Sequence, residues 1–361
     1  MNSIVVVGVA IRTALGDLTA TWNGLMANRC GLTSHQFPGF ECRPMGLIAD
    51  LSGDIGTSER LQALCAGLWA ETPELPANTT LFCATTKGAV DELLLAPKGP
   101  WSGQPWQIGD YLAKLFGCRG HHLVSGACAS GTLAIIQGAM ALSRGDCEAA
   151  VVVGVDLISR FVLGGFAGLQ ALSPTGCSPF DRNRDGLSLG EGAGLMMLTT
   201  RKTAACHNWP VLAELAGYGV TCDATHITAP CRNASGLLAA LRQATADGKL
   251  AVGGINAHGT GTPYNDAMEL LAFSTSWETP PPVHSVKGAI GHCLGAAGVI
   301  EAVLAIMSLQ HRVLPPTVGL RLPEDGAVRL SGKKTLALQG NSVLSCNSGF
   351  GGINAAVLFK P

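Results

Sequence analysis

Three side chains in this 361-residue chain have the types and settings that covalent catalysis uses: one cysteine, Cys128, and two histidines, His258 and His292. Cys128 sits in Val124-Ser125-Gly126-Ala127-Cys128-Ala129-Ser130-Gly131-Thr132, where an apolar strand gives way to a helix of small residues. A helix beginning near Ala129 would turn its unpaired N–H groups and positive dipole end toward the sulfur, which is expected to favour thiolate over thiol. A buried structural cysteine is the plainer reading, so the surroundings must decide. His258 lies in Asn256-Ala257-His258-Gly259-Thr260-Gly261-Thr262, and His292 in Lys287-Gly288-Ala289-Ile290-Gly291-His292. Each follows a predicted strand and occupies a glycine-rich turn. Glycine lets the backbone approach a ligand closely, and imidazole offers a donor whose tautomer a neighbour can fix. Either histidine alone reads as an ordinary loop residue. Two in equivalent settings, beside a strand-end cysteine, point to a site.

The elements that must position these groups alternate along the chain, which is the mark of an α/β fold. Strand 4–9 is followed by a helix over 18–27, an irregular stretch around 37–54, a helix near 58–71 and a strand over 80–84. Residues 97–106 hold three prolines and two tryptophans and read as a surface loop, a candidate for facing a partner. Strand 121–124, a helix over 129–143 stopped by Gly145, and the strand 149–155 form one βαβ crossover with Cys128 at the carboxyl end of its first strand. Open α/β sheets bind ligands at that edge. The second half repeats the style, with a helix over 236–246, strand 252–257, helix 264–273, strand 283–286 and a helix near 295–309. Two duplicated halves meeting between residues 201 and 210 follow, taken as 1–205 with the cysteine and 206–361 with the histidines.

Composition excludes several other classes. A formal net charge of −1 gives no field to gather nucleic acid or anionic lipid over the whole surface. Hydrophobic residues make up 47% of the chain and charged ones 14%, with 47 glycines, which suits buried strands and tight turns. Thirteen cysteines, odd in number and without a CxxC pair, argue against a disulfide framework or a zinc site and for a reducing cytosol. The N-terminal apolar run has no basic segment before it and reads as a buried strand. No apolar stretch is expected to reach the roughly 18 residues of a membrane span. The Asn-x-Ser/Thr triplets at Asn78 and Asn233 are then chance matches.

Over nearly its whole length the chain resembles the β-ketoacyl synthases, decarboxylating condensing enzymes of the thiolase superfamily. Ala127-Cys128-Ala129-Ser130 is similar to the family's nucleophile turn, and Ala257-His258-Gly259-Thr260-Gly261-Thr262-Pro263 to its Thr-His-Gly-Thr-Gly-Thr-Pro motif. Lys287, His292 and Glu301 keep the family spacing of five and nine residues. Ser178-Pro179-Phe180-Asp181, Arg184-Asp185-Gly186, Gly190-Glu191-Gly192-Ala193-Gly194, Leu314-Pro315-Pro316-Thr317 and Gly349-Phe350-Gly351-Gly352 follow in the family's order. Any one block is weak; the ordered set is specific.

The resemblance implies a five-layered αβαβα fold built from two duplicated halves. It implies a carrier-dependent acyltransferase in which Cys128 accepts an acyl group and a malonyl thioester loses CO2 to give the attacking enolate. The Nε2 atoms of His258 and His292 would face the first oxyanion, and the backbone N–H groups of Cys128 and Phe350 the second. Lys287 would pair with Glu301 and orient the site around His292, an arrangement that fits a carboxylate in the apolar run Gly298 to Leu304. The hydroxyls of Thr260 and Thr262 are candidates to hold the malonyl carboxylate, against an ordinary role in the turn. Glu191 reads equally as a structural carboxylate.

Three departures stand out. Ser348 occupies a place where relatives commonly have Phe, which leaves the gate looser or the acyl pocket reshaped, while Phe350, the usual gating aromatic, is kept. Ala257 replaces a threonine, with little expected effect. Ala84-Thr85-Thr86-Lys87-Gly88 lacks the glycine-dense form of elongating relatives, and the chain is shorter than theirs, with the shortfall expected between about residues 35 and 110. No metal or organic cofactor is expected, because the substrates carry pantetheine thioesters. The expected partners are an acidic acyl carrier protein, met by scattered Lys and Arg, and a second ketosynthase-like subunit in a homodimer or heterodimer. Two other readings stay open: a chain-length-determining subunit that shares the fold without condensing, and a non-decarboxylating thiolase with Cys/His/Cys chemistry, since Cys293 follows His292.

Overall fold

The computed structural model describes residues 3–68, 75–94, 102–324, 326 and 328–361; the end of the helix expected over 58–71 and residues 97–101 of the expected loop lie outside them. The first half runs β1 (Ile4–Arg12), α1 (Leu18–Met26), a small antiparallel pair β2 (Thr33–His35) and β3 (Arg43–Met45), α2 (Ser58–Ala66), β4 (Thr79–Ala84) and α3 (Trp106–Phe116). It continues with β5 (Gly120–Val124), α4 (Ser130–Arg144), β6 (Ala149–Asp156), α5 (Arg160–Gly168), β7 (Gly192–Thr200) and α6 (Arg201–Cys206). The second half runs β8 (Ala213–Cys222), α7 (Ser235–Ala244), β9 (Ile255–Asn256), α8 (Pro263–Ser276), β10 (Val283–His284), α9 (Lys287–Ile290) and α10 (Ala297–His311). β11 (Val313–Leu314), β12 (Leu336–Ala337), β13 (Val343–Gly349) and β14 (Ile353–Lys360) close the chain.

Among the described residues one ten-stranded sheet has the order β10-β9-β13-β14-β8-β1-β7-β6-β4-β5. Read outward from the β1–β8 contact, the two halves match in sense as well as order. β1 and β8 are antiparallel to β7 and β14, which are antiparallel to β6 and β13; the outer strands β4, β5 and β9, β10 run parallel to those. α4 and α10 lie between the two half-sheets, and their side chains join β1, β6, β7, β13 and β14 in one core. α2 and α3 cover the outer face of the first half-sheet, and α7 and α8 that of the second. These are the five layers αβαβα. Residue 205 falls inside α6.

Local chemistry places the ends of these elements. Gly145 in the left-handed region at φ 78° ends α4, and the fully buried run of β6 leaves no polar face. β9 and β10 are shorter than the expected 252–257 and 283–286, because the chain turns into the site loops at Ala257 and into α9 at Lys287. β7, β8, β13 and β14 have no counterpart in the expected elements. The run Leu294–His311 is 18 residues long and apolar enough to cross a membrane, so the expectation of no such run is corrected. It is 83% buried between the half-sheets, which makes it a core helix.

Candidate active site

Cys128 is placed by a strained turn between β5 and α4. Ala127 is held at φ 49°, and Ser130 stitches the bend by accepting from the Gly126 N–H at 2.9 Å and donating to the Ala127 carbonyl at 2.6 Å. The end of β13 presses on the same bend: a Cβ on Gly349 would lie 2.9 Å from the Gly126 carbonyl oxygen and 3.3 Å from the Cys128 nitrogen. The expectation of a resting thiolate is corrected here. Burial pushes the Cys128 thiol up to about 12, and the charge of Lys287 pulls against it without prevailing.

His258 and His292 come from the loops after β9 and β10 and meet edge to face, with ring centroids 5.2 Å apart. Burial, reinforced by the charge of Lys287, holds both well below the usual imidazole range, so both are neutral. The tautomer of His258 follows from its neighbours. Its Nδ1 is 3.2 Å from Lys287 Nζ and 3.2 Å from Asn347 Nδ2, both of which donate, so Nδ1 accepts and the proton sits on Nε2. The ring nitrogens of His292 have no partner among the described residues, although the side chain is 1% exposed.

Lys287 and Glu301 stand behind these rings rather than in the cavity. Lys287 Nζ bonds Glu301 Oε1 and the His258 carbonyl, and Glu301 Oε2 accepts from Asn347 Nδ2 at 2.6 Å. Burial raises the Glu301 carboxyl and Lys287 draws it back down. Lys287 thus touches His258 directly and carries its field to His292, where the resemblance implied a Lys287–Glu301 pair that orients the site around His292. Asn347 was not singled out by the sequence. It accepts from Thr132 Oγ1 at 2.6 Å, which ties α4 to this network.

Two further carboxylates were also missed. Glu269 on α8 accepts from the backbone N–H groups of His258 and Gly259, each at 2.7 Å, and Asp266 accepts from those of Thr260 and Gly261 at 3.0 and 3.2 Å. Burial, helped by the charge of Asp266, pushes Glu269 up to about 8. Together they fix the loop that carries His258. The only available signal was that both sit on the first turns after Pro263, three and six residues beyond it.

One cavity gathers Cys128, His258, His292, Thr260, Thr262, Ser348 and Phe350. The Thr260 and Thr262 hydroxyls bond each other at 2.8 Å on its wall. The Phe350 ring packs on Phe166 of α5 at 5.6 Å and forms another wall. Ser348 Oγ donates to Asn354 Oδ1 at 2.8 Å, and Asn354 Nδ2 donates to Asp223 Oδ1 at 2.9 Å, a polar strip along the cavity wall. Glu191 lies outside the cavity: its side chain accepts from the Ile48 N–H at 2.7 Å and binds Arg60, which settles it as structural. Ala257 is buried in the core, where only its methyl matters. Cys293 points away, packing its sulfur against the Glu191 and Gly291 carbonyls.

Residues 79–204 match the family description "Beta-ketoacyl synthase, N-terminal domain" and residues 212–321 "Beta-ketoacyl synthase, C-terminal domain". The chain is 30% identical to 3-oxoacyl-[acyl-carrier-protein] synthase 2 of Vibrio harveyi, covering 99% of this chain and 98% of that one. It is 31% identical to the protein of the same name from Synechocystis, over 99% and 97% of the two chains. Among solved structures it superposes with a TM-score of 0.86 on a ketosynthase in complex with its chain length factor from Xenorhabdus doucetiae, at 26% identity over 99% and 98% of the chains. Full-length identity at this level, in the order of motifs and in the fold, places the chain in the β-ketoacyl synthase family.

Proposed function

We propose that the chain is an acyltransferase of the 3-oxoacyl-[acyl-carrier-protein] synthase type. It joins an acyl group held on Cys128 to the two-carbon unit left when malonyl-carrier loses CO2, in fatty-acid or type II polyketide-like synthesis. The observation that carries this reading is the single cavity that unites the Cys128 sulfur with two neutral imidazoles, one of them locked with its proton on Nε2.

In the first half-reaction the Cys128 sulfur attacks the acyl-carrier carbonyl. The thiol proton leaves as the S–C bond forms, and the departing pantetheine sulfur regains a proton, so the transfer is balanced without net acid or base. A thiol resting near 12 keeps its proton until the carbonyl is in place, which limits side reactions with other electrophiles. In the second, the malonyl C–C bond breaks, CO2 leaves, and the electron pair moves into an enolate whose oxygen is met by His258 Nε2–H and His292. A removed oxyanion donor typically costs about 3 kcal/mol in the transition state. The enolate carbon attacks the acyl-cysteine, the Cys128 and Phe350 N–H groups receive the new oxyanion, and the sulfur leaves and takes up a proton.

Lys287, Glu301 and Asn347 hold the His258 tautomer, and the Thr260–Thr262 hydroxyl pair binds the malonyl carboxylate before it departs. The partners are an acyl carrier protein, a reading supported by the name of the Vibrio harveyi relative, and a second ketosynthase-like subunit, supported by the Xenorhabdus ketosynthase in complex with its chain length factor. A cytosolic setting fits the free cysteines of the chain. A subunit that only sets chain length does not need a cysteine between two histidines, and a thiolase with a second catalytic cysteine is disfavoured because Cys293 faces away from the cavity. The purified chain, given acyl-carrier and malonyl-carrier, should release one CO2 per 3-oxoacyl product, and Cys128→Ala should form no 3-oxoacyl product. Equal product from Cys128→Ala would overturn the assignment.

A further inference from the structure

The hydroxyls that line the catalytic cavity differ in their freedom. Thr260 and Thr262 bond each other and either can be the donor, so that pair can turn to suit a ligand. Ser348 cannot. Asn354 Nδ2 lies 2.9 Å from Asp223 Oδ1 and 3.1 Å from the Gly352 carbonyl, and since a carboxylate and a carbonyl only accept, that nitrogen is the donor. Asp223 is itself fixed: its other oxygen accepts from the Cys231 N–H at 2.9 Å, and a side chain in place of Gly236 would collide with Oδ1. Asn354 Oδ1 therefore faces Ser348 and takes the proton of its hydroxyl at 2.8 Å. Asn354 is 1% exposed, whereas Ser348 is half-buried on the cavity wall. With its one proton committed, Ser348 Oγ has only lone pairs left to offer. Side chains alternate along a strand, so Ser348 shares the face of Cys346, whose sulfur lies 3.9 Å from Glu269 Oε1 behind the His258 loop. That is the side of β13 that meets the loop of Thr260 and Thr262.

We propose that Ser348 is a specificity-determining acceptor, oriented by Asn354 and Asp223, for an N–H or O–H group borne near the thioester of the substrate. The inference rests on the acyltransferase reading above. Two parts of such a substrate can supply the donor: an amide in the thiol arm, or a hydroxyl on the acyl group. A saturated acyl group on a thiol without an amide supplies none. A site that accepts a hydrogen bond from its substrate rejects the analogue lacking the donor, steeply where the site is dry and less where water can stand in. Because Ser348 is half-buried, the expected discrimination is about tenfold.

The test measures kcat/KM for acylation of Cys128 by two pairs of thioesters. The first pair carries one acyl group on N-acetylcysteamine and on its ester isostere, in which oxygen replaces the N–H. The second carries a 3-hydroxyacyl group and the unsubstituted acyl group of the same length, both on N-acetylcysteamine. In at least one pair the ratio of donor to non-donor compound should fall about tenfold from wild type to Ser348→Ala and stay within about twofold in Ser348→Thr, which keeps the hydroxyl. The pair that responds identifies the source of the donor. Asn354→Ala, which frees the Ser348 hydroxyl to rotate and donate, should lower the same ratio. A variant that is merely damaged slows both members of a pair alike and leaves the ratio unmoved. Both ratios within about twofold of wild type in Ser348→Ala overturn the proposal and leave the enzymatic reading standing. If none of the thioesters acylates the wild type, the reading of the site fails, and the role of Ser348 with it.

Discussion

Two buried lysine–carboxylate pairs occupy the two halves of the molecule and end differently. In the first half Lys87, after β4, donates to Asp156 Oδ1 at 3.1 Å and to the Leu157 carbonyl at 2.7 Å. Asp156 is saturated: it also accepts from Thr85 Oγ1, from Thr86 N–H and Oγ1, and from the Gly295 N–H of the other half, all at 2.8 to 2.9 Å. Every bond of that cluster leads back into backbone and turn. In the second half Lys287 and Glu301 are as deeply buried, but their bonds lead through Asn347 and His258 to an imidazole Nε2 at the cavity. The pairs are equally costly to desolvate, and burial alone does not say which one serves chemistry. The difference lies in where the last donor points.

The sharpest way to break that contrast is to remove each lysine. Lys287→Met should cut condensation per folded molecule by about two to three orders of magnitude, because His258 loses its fixed tautomer and Glu301 is left unpaired. Lys87→Met should leave activity per folded molecule within about twofold while lowering stability by about 3–5 kcal/mol, read by denaturant titration with activity normalised to folded fraction. A Lys87 variant that is stable but inactive would erase the distinction. Next in size, Asn347→Ala should cost about tenfold or more in decarboxylation and little in acylation, because it frees His258 Nδ1 to take the proton that Nε2 needs.

A smaller effect concerns stability against pH. His258, His292 and His284 are all buried and held below their ordinary range, His284 at about 3, so the unfolded chain binds protons there that the native chain refuses. Stability is then full above the unfolded value near 6.5 and falls as pH drops through it, with the unfolding midpoint in urea decreasing between about pH 6.5 and 5. A midpoint flat across that window would show that these rings carry charge in the folded state. The smallest test concerns the nucleophile: alkylation by iodoacetamide should keep rising with pH through about 9 without a plateau, as a thiol near 12 requires.

Much of this site was legible because its chemistry is written in short runs. Cys128 and His258 follow the strands β5 and β9 closely and His292 follows the short helix α9, each in a run of small residues, and the structure brings all three to one cavity. The burial of Cys128 was not legible, because a helix dipole is readable locally whereas the end of β13 that presses on the Gly126–Cys128 bend comes from more than 200 residues away. Asn347 hid for a related reason: a lone polar residue in β13 reads as a defect until α4 and α10 are seen to meet it with Thr132 and Glu301. Glu269 and Asp266 look like solvent-facing helix charges until their bonds to the histidine loop are drawn. The duplicated halves showed in the alternation of elements but not in their matching order, because β9 and β10 are two residues each and carry almost no periodic signal.

The central claim is that the first half holds the acyl group and the second half decarboxylates, and the most direct measurement separates the two steps in time. Lys287→Met and wild type are loaded with acyl-carrier, the intact mass is recorded, and malonyl-carrier is then added. In the wild type the acyl mass on Cys128 should appear and disappear with release of one CO2. In Lys287→Met it should appear at the wild-type rate and persist. Loss of the adduct at the wild-type rate in that variant, or failure of the adduct to form at all, would contradict the division of labour between the halves.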